Sequence, residues 1–341
     1  MKILSFIIPA YNSEKFLEKC VSSMLVPEIL DKLEIIVVND GSKDTTAVIA
    51  EAFCTQYPNT VRLISQENKG HGGALNTGCA AASGKYLKVI DADDWVVTEN
   101  LTAYIQLLEN CGSDVVLTHH HTIDIGTGEI KKWKSYPETF GRSYSFEEIM
   151  PQWRNFDRSL TFHGITYRTD FYQKHSLKLS EHVFYEDHEY ATFPCCHAES
   201  VTPFDLFLYE YRIGDVHQSV AAQNQLKRIG HTETVLRHMT QAYHLLPENA
   251  GKRYAAMKIQ GLLLSYLTTT LLVNPDRKAG RISAEKTMAQ YRTDAPEVYA
   301  LAMRKYQVFQ LLNRLHISKA AWDKILNSSL YNRLRKNHTF E

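Results

Sequence analysis

The sequence lacks the patterns that mark several common functional classes. None of its six cysteines forms a C-x-x-C pair, so neither a zinc site nor a dithiol redox motif is indicated, and reduced thiols are expected. Lysine plus arginine equals aspartate plus glutamate at 38 each, which argues against a general nucleic-acid binder. A P-loop is absent, and no G-x-G-x-x-G follows the first apolar segment, so neither an ATPase nor a dinucleotide-dependent dehydrogenase is expected.

Long apolar runs are also absent. The longest spans residues 261–273, is interrupted by serine and threonine, and falls short of the roughly 20 residues that a membrane-spanning helix needs. We therefore expect a core helix there. Met1 and Lys2 lead directly into an apolar segment without a secretory signal pattern, so the expected location is the cytoplasm.

Short apolar segments alternate with helical patterns through the first third of the chain. Such alternation predicts a doubly wound, mostly parallel α/β sheet. A hairpin is predicted over 122–136, with glycines in its turn, and a further strand over 204–212. Beyond residue 221 the pattern is helical, which predicts a separate helical appendage. The first five predicted strands span 5–8, 34–38, 61–64, 86–90 and 114–118.

Three carboxylates close the fourth predicted strand. Asp91, Asp93 and Asp94 lie in the stretch 84–95, GKYLKVIDADDW, where that strand emerges. Ligands of open α/β sheets bind at the carboxyl ends of the strands, so these acids are in a functional position. Carboxylate oxygens suit Mg²⁺ or Mn²⁺, whose other ligands are commonly phosphates. A polar turn is the alternative, because D-x-D is a short pattern.

Three further loops follow the first three strands at the same edge. They read PAYN over 9–12, VNDGS over 38–42 and ENKGHGGALNTG over 67–78. Glycines in the third loop let backbone amides approach an anionic ligand ahead of a helix. A plain strand-to-helix turn is the alternative for PAYN, and an Asx turn is the alternative at Asp40. His71 is interpreted as a polar loop residue rather than a ligand.

The order and spacing of these four loops resemble the nucleotide-sugar-binding half of family 2 glycosyltransferases, which have the GT-A fold. The resemblance implies a GT-A domain over 1–220, with a nucleotide-sugar-binding half at 1–117 and an acceptor half at 118–220, followed by the helical region 221–341. It implies an inverting, metal-dependent transfer from a nucleotide-sugar, expected to be a UDP-sugar, to a hydroxyl acceptor. The implied context is bacterial surface polysaccharide or glycan assembly.

The resemblance also implies roles for individual residues. Asp40 would accept the N3–H of a uracil ring, Asp91 would contact the ribose, and Asp93 would bind Mn²⁺ or Mg²⁺ at the diphosphate. Asp94 would support their loop. The other implied donor contacts are Pro9, Ala10, Tyr11, Asn12, Lys69, Gly70, Gly73, Asn76, Ala92, Arg212, Gln218 and Ser219.

A second acidic cluster, EDHE over 186–189, opens a helical stretch. An acceptor hydroxyl must lose its proton while it attacks C1 of the sugar, and a positioned carboxylate can take that proton. Glu186-Asp187 resembles the acidic motif of the family, in which the aspartate is the base, so Asp187 is the predicted catalytic base. The alternative is an ordinary helix start, where acids are favoured.

Histidines elsewhere give weaker signals. His217 could add a metal ligand, but a single histidine in a polar loop is more often not one. Three consecutive histidines at 119–121 look metal-like, yet alternate residues of a strand face opposite sides and no further ligand spacing supports zinc.

Basic residues are concentrated near the carboxyl terminus. Between residues 304 and 338, eight lysines and arginines accompany a single acid, Asp323, with leucines interleaved. This face could meet anionic lipid, which would suit a lipid-linked sugar acceptor and attachment to the inner face of the cell membrane. An ordinary packed helix with a solvated basic face is the alternative. A homo-oligomer is left open.

Two other functions remain in view. A nucleotidyltransferase also uses acids and a metal on an α/β sheet, but it should have a glycine-rich, basic loop after the first strand, and PAYN is neither. A non-catalytic nucleotide-sugar-binding assembly partner would have no need for the intact acids at 40, 91, 93 and 187.

Overall fold

The computed structural model describes residues 1–214 and 222–326. Contacts between residues divide the chain into two compact units. One comprises Met1–Gln218 and Gln241–Ala255, and the other comprises Ser219–Thr240 and Ala256–Glu341. Residues 241–255 therefore group with the first unit, although they follow the border predicted at residue 220.

The first unit contains a nine-stranded sheet. Most predicted strands lie within two or three residues of an observed one, while β5 and β8 were not predicted as strands. The strands are β1 (Leu4–Ala10), β2 (Leu33–Asp40), β3 (Val61–Gln66), β4 (Tyr86–Val89), β5 (Trp95–Val96), β6 (Val115–Asp124), β7 (Ile130–Trp133), β8 (Ile165–Arg168) and β9 (Val201–Ile213).

Helices connect the strands and make up the described part of the second unit. Short 3₁₀ helices occur at Pro27–Lys32, Met150–Asn155 and Pro194–His197, and a π-helical turn occurs at Thr269–Val273. The α-helices are α1 (Leu17–Ser22), α2 (Thr46–Gln56), α3 (Gly70–Ala81), α4 (Thr98–Asn110), α5 (Phe146–Ile149), α6 (Thr169–His175), α7 (Asp187–Tyr190), α8 (Ala222–Lys227), α9 (Ile229–Leu245), α10 (Ala250–Thr268), α11 (Arg277–Asp294), α12 (Pro296–Arg314) and α13 (Lys319–Leu326).

The sheet order is β3-β2-β1-β4-β8-β6-β9-β5, with β7 paired to β6. Strands β1 to β4 are parallel to one another, as are β6 and β9. Strand β8 runs antiparallel between β4 and β6, and β5 runs antiparallel to β9. The predicted α/β fold of the GT-A type, with a helical carboxyl-terminal region, is confirmed. The hairpin predicted over 122–136 corresponds to the antiparallel pair β6–β7, whereas the antiparallel strands β5 and β8 were not predicted.

Burial on both faces explains why β1 and β2 read as continuous apolar runs. Every residue of these two strands is buried, as in parallel sheets covered by helices on both sides. Helices α1 and α4 contribute to the core on one face. On the other face a Cβ at Gly78 of α3 would collide with Ile7 and Val38. Glycine at this position therefore allows α3 to lie close against β1 and β2.

One helix in the described part of the chain, α10 extended by the π-helical turn to Val273, is long and apolar enough to cross a membrane. A buried core helix can have the same length and apolar composition. In this structure 61% of the apolar window is buried, and Leu263 and Leu267 are fully so. No disulfide links the six cysteines, all of which lie within the described residues.

Candidate functional site

The loops after β1 and β2 are tied together at the carboxyl edge of the parallel strands. The Asn12 side chain accepts from the Lys43 amide at 2.8 Å, and the Asn12 amide donates to Ser42 Oγ at 3.1 Å. Asn12 has a positive φ of 49°, which asparagine tolerates better than most residues. Its observed contacts therefore join two loops, and the predicted donor contact of Asn12 stays a prediction.

Residues 9–11 form one side of this edge. Pro9 and Ala10 end β1 opposite Val38 and Asn39 of β2, and both are buried, so only their backbone can face a ligand. The Tyr11 side chain follows directly and is 51% exposed. An exposed aromatic ring beside backbone groups can stack on a planar ring.

Asp40 is the last residue of β2, and its carboxylate is buried. Its Oδ1 accepts from Gln66 Nε2 at 2.7 Å and from the Lys69 amide at 2.9 Å. Its Oδ2 is also buried, and it has no hydrogen-bond partner within the described residues. Buried acceptors are normally satisfied, so Oδ2 marks a place where a donor from a ligand fits.

The DADD loop after β4 holds three carboxylates in different settings. Asp94 is buried, accepting from Tyr209 Oη at 2.7 Å and from the Arg212 amide at 2.8 Å, so it supports the loop. Burial and the neighbouring Asp91 and Asp93 raise the pKa of Asp94 well above its usual range. Burial and Asp91 also raise the pKa of Asp93, although Arg212 opposes this. The crowded carboxylates of the loop therefore disfavour one another's charged forms.

Arg212 lies beside the DADD loop, and its predicted contact with the diphosphate stays a prediction. Its Nη2 donates to Asp93 Oδ2 at 3.0 Å, and its guanidinium lies over the Phe16 ring, 4.3 Å from the centroid. The side chain predicted to pair with the diphosphate thus pairs with the predicted metal ligand. Proximity in the fold explains this, because β9 passes beside the DADD loop.

His71 links the two acidic clusters, and its interpretation as a simple loop residue is wrong. Its Nε2 lies 2.9 Å from Asp91 Oδ1, and its Nδ1 lies 2.5 Å from Glu186 Oε1. Burial alone would lower the pKa of His71, but the two carboxylates outweigh burial and raise it well above the usual value. A signal existed in the sequence, since His71 lies among glycines directly after a strand at the acidic edge.

The adjacent acids Glu186 and Asp187 differ in their surroundings. Glu186 is buried, and its Oε2 has no partner in the part of the chain that the structure describes. Asp187 begins α7 and is partly exposed, and no hydrogen bond or ion pair to another described residue holds its carboxylate. The Glu186 carboxylate is therefore held by His71 in the protein interior, while the Asp187 carboxylate is available to a substrate.

The glycines after β3 make room for protein rather than for a ligand. Gly70 has a φ of +76°, and a Cβ there would lie 2.8 Å from the amide nitrogen of His182. A Cβ at Gly73 would collide with the Lys69 side chain. Both glycines thus lie close to neighbouring protein atoms, and their predicted approach to a ligand stays a prediction. Lys69 itself contributes its amide to Asp40.

Asn76 and Ala92 also have structural contacts. The Asn76 amide donates to the Leu179 carbonyl at 3.0 Å and accepts from the Leu179 amide at 2.9 Å, so both of its polar atoms are engaged. The methyl group of Ala92 is buried in the core cluster beside β1 and β4. The predicted donor contacts of Asn76 and Ala92 stay predictions. The remaining predicted contacts Gln218 and Ser219, and His217, lie outside the described residues.

The histidines of β6 form no metal site. Burial lowers the pKa of His119 to about 4 and that of His120 to about 3, and His120 stacks on the Trp133 ring. Across residues 1–214 and 222–326, no group of three or more histidine, cysteine, aspartate or glutamate side chains could hold a metal by itself. A metal at Asp93 would thus need ligands from a substrate.

Sequence comparison identifies the family to which these features belong. The profile described as "Glycosyl transferase family 2" matches residues 5–175. Glycosyltransferase GlyG of Streptococcus pneumoniae is 36% identical over 154 residues, covering 44% of this chain and 48% of GlyG. The putative glycosyltransferase EpsH of Bacillus subtilis is 29% identical over 258 residues, covering 74% of this chain and 71% of EpsH. The chain thus matches about half the length of GlyG and more of EpsH.

Solved structures share the fold at low sequence identity. Staphylococcus aureus TarS 1-349 in complex with UDP-GlcNAc matches with a TM-score of 0.65 and 18% identity, covering 93% of each chain. The complex of the same protein with UDP matches with a TM-score of 0.63, at 18% identity and 92% coverage of each chain. These likenesses establish the fold.

Proposed function

Because the chain belongs to glycosyl transferase family 2, and is a glycosyltransferase that uses a nucleotide-sugar, we propose the finer features of its reaction. The donor is a UDP-sugar, a divalent metal assists the departure of UDP, and the sugar is transferred with inversion to a hydroxyl group. Family membership favours this reaction over the nucleotidyl transfer and the non-catalytic role that the sequence left open.

The buried, unpartnered Oδ2 of Asp40 carries the assignment of the donor. Uracil presents an N3–H donor, which this oxygen can accept, whereas cytosine presents an acceptor at N3. The exposed Tyr11 ring is placed to stack on the base. TarS, which has the same fold, was crystallised with UDP-GlcNAc, and this supports a UDP-sugar.

The DADD loop fits a divalent cation. Its donors are carboxylate oxygens, the ligand type of Mg²⁺ and Mn²⁺, and Asp91 and Asp93 lie close enough to disfavour each other's charged forms, an effect that a bound cation would relieve. Asp93 would hold the ion, with diphosphate oxygens completing its ligands, while Asp91 contacts the ribose. When bound, the metal neutralises the charge that develops on the diphosphate leaving group.

Asp187 acts as the base. Its unpaired carboxylate takes the proton of the acceptor hydroxyl as the oxygen attacks C1 of the sugar. The new C1–O bond forms while the bond from C1 to the diphosphate oxygen breaks, and the electron pair leaves with UDP. Attack from the face opposite the leaving group inverts the configuration at C1. The guanidinium of Arg212 can leave the Asp93 carboxylate and pair with the diphosphate.

The acceptor is a glycan or a lipid-linked sugar in polysaccharide assembly. Chondroitin synthase of Escherichia coli, 42% identical over 94 residues, supports a glycan-building role, although the match covers 28% of this chain and 13% of that protein. The proposed location is the cytoplasm, at the inner face of the membrane. The carboxyl-terminal end of α12 carries exposed Leu311 and Arg314, and exposed Leu315 follows directly, a surface suited to anionic lipid. The basic residues beyond 326 lie outside the described part.

Nucleotide binding tests the assignment of the donor. Isothermal titration calorimetry measures the binding of UDP, GDP and dTDP, each with and without Mn²⁺. We expect UDP to bind more tightly than GDP, and Mn²⁺ to strengthen the binding of UDP. Thymine shares the N3–H group, so dTDP can compete but lacks the ribose 2′-hydroxyl. Tighter binding of GDP than of UDP would refute the proposed role of Asp40.

A further inference from the structure

The segment that carries the base is docked on the first turns of α3. We call residues 179–187 the base segment. The His182 amide donates to the Lys69 carbonyl at 2.9 Å, and the Asn76 side chain makes the two bonds to Leu179 described above. A Cβ at Gly72 would collide with the Ser180 carbonyl, so glycine permits this close approach. The donor-side helix thereby fixes one end of the base segment.

His71 makes the contact nearest to the base. Its ring lies between Asp91 of the donor loop and Glu186, the residue that precedes Asp187. Glu186 is buried, and its Oε1 is bonded to His71. Its Oε2 has no hydrogen-bond partner among the described residues, so His71 is the side chain that orients this carboxylate. Asp187 follows in the chain, and no described residue restrains its carboxylate through a hydrogen bond or ion pair.

We propose that His71 is a positioning residue that holds the base segment at a fixed distance from the donor site through the bridge Asp91–His71–Glu186. The inference rests on the proposed function, in which Asp91 contacts the donor and Asp187 is the base. A displacement of a reacting group by about 1 Å can lower a rate about a hundredfold, so such a brace matters for catalysis. His71 itself touches no reacting atom in this assignment.

Two substitutions separate the two halves of the bridge. The amide of asparagine can occupy the place of Nδ1, and that of glutamine can reach the place of Nε2. His71→Asn therefore keeps a partner for Glu186 and loses the bond to Asp91. His71→Gln keeps a partner for Asp91 and loses the bond to Glu186. His182→Asn is the matched control, because His182 lies exposed in the same segment at a positive φ that asparagine tolerates.

The experiment measures three quantities on the full chain with Mn²⁺. They are the Kd of UDP, the kcat of UDP release from a mixture of UDP-glucose, UDP-galactose, UDP-GlcNAc and UDP-glucuronate, with water as the acceptor hydroxyl, and the Tm. His71→Gln should lower kcat about tenfold or more while the Kd of UDP stays within about twofold. His71→Asn should weaken UDP binding severalfold with a smaller loss of kcat. His182→Asn should match the wild type.

The outcomes distinguish this inference from the proposed function. Suppose that the wild type binds UDP and releases UDP from the UDP-sugars, and that His71→Gln retains the wild-type kcat. The inference about His71 is then overturned, while the proposed function stands. The inference is also overturned if both His71 variants lose kcat equally and in step with a fall in Tm, because that pattern indicates a purely structural role. A wild type that binds no UDP overturns the proposed function and the inference with it.

Discussion

Arg212 donates from Nη2 to Asp93 Oδ2 over 3.0 Å, so the carboxylate predicted to bind the metal has a cationic partner before any ligand arrives. This guanidinium would compete with a cation for Asp93, and once released from Oδ2 it could turn to the diphosphate. The ion pair is mostly shielded on the arginine side, where the side chain is 9% exposed.

Replacement of Arg212 should therefore change two affinities in opposite directions. Arg212→Gln removes the competing cation, so the Kd of Mn²⁺ without nucleotide should fall severalfold. The same variant should bind UDP with Mn²⁺ about tenfold more weakly, because a charge-assisted contact to phosphate is lost. Arg212→Lys, which keeps the charge, should show smaller changes of both kinds. Calorimetric titrations check this, and parallel losses of both affinities would refute the exchange.

Asp40 provides a test of base recognition. Asp40→Asn can keep the acceptor at the position of Oδ1 for Gln66 and Lys69, and place an NH₂ group at the position of Oδ2. That group repels the N3–H of uracil but can donate to N3 of cytosine. We expect the Kd of UDP to rise about tenfold or more and the CDP-to-UDP affinity ratio to increase. An unchanged ratio would show that Asp40 does not face the base.

Local pattern was sufficient to predict the parallel half of the sheet. Strands β1, β2 and β4 are buried on both faces, and their apolar runs end in loops with Gly, Asn or Asp, so composition and order specify them. The insertion of β8 between β4 and β6 depends on pairing between Leu87 and Tyr167, which are far apart in sequence. No periodicity within either segment encodes that choice of partner.

The candidate site was predictable where it depends on chain order and was missed where it depends on side-chain approach. Asp40 and Asp94 lie where the strand ends place them. The bridge from His71 to Glu186 joins residues 115 positions apart, so no spacing rule reveals it. The glycine at position 72 was attributed to ligand approach, but it accommodates the Ser180 carbonyl of the base segment.

His120 should make the fold sensitive to acid. Burial, aided by nearby Lys88, lowers the pKa of His120 to about 3, whereas an unfolded histidine titrates near 6.5. The unfolded chain therefore binds a proton that the folded chain excludes, and stability falls as the pH drops below 6.5. His120→Phe can keep the stack on Trp133 and removes this proton.

Urea unfolding at pH 7 and pH 4.5 measures the effect. The wild type should lose about 2 kcal/mol more than His120→Phe between these pH values. The control His182→Asn, with an exposed side chain, should follow the wild type. Equal losses in the wild type and His120→Phe would contradict the burial of a neutral His120.

The exposed surface at the carboxyl-terminal end of α12 predicts binding to anionic membranes. Leu311 and Leu315 are 57% and 60% exposed, and they lie beside Arg314. The double variant Leu311→Asp, Leu315→Asp should lose most of its co-sedimentation with vesicles that contain phosphatidylglycerol. Ile282→Asp on α11 is the matched control, since Ile282 is 59% exposed in the same unit. Equal binding by both variants and the wild type would exclude this face as the contact.

Comparison of Asp187→Asn with the wild type tests the central claim, that Asp187 is the base of a UDP-sugar-dependent transferase. The measurement is kcat for UDP release from the mixture of UDP-sugars with Mn²⁺, together with the Kd of UDP. Asparagine keeps the size of the side chain but cannot accept the proton, so kcat should fall about a hundredfold or more while the Kd stays within about twofold. Release of UDP by Asp187→Asn at the wild-type rate would contradict the account.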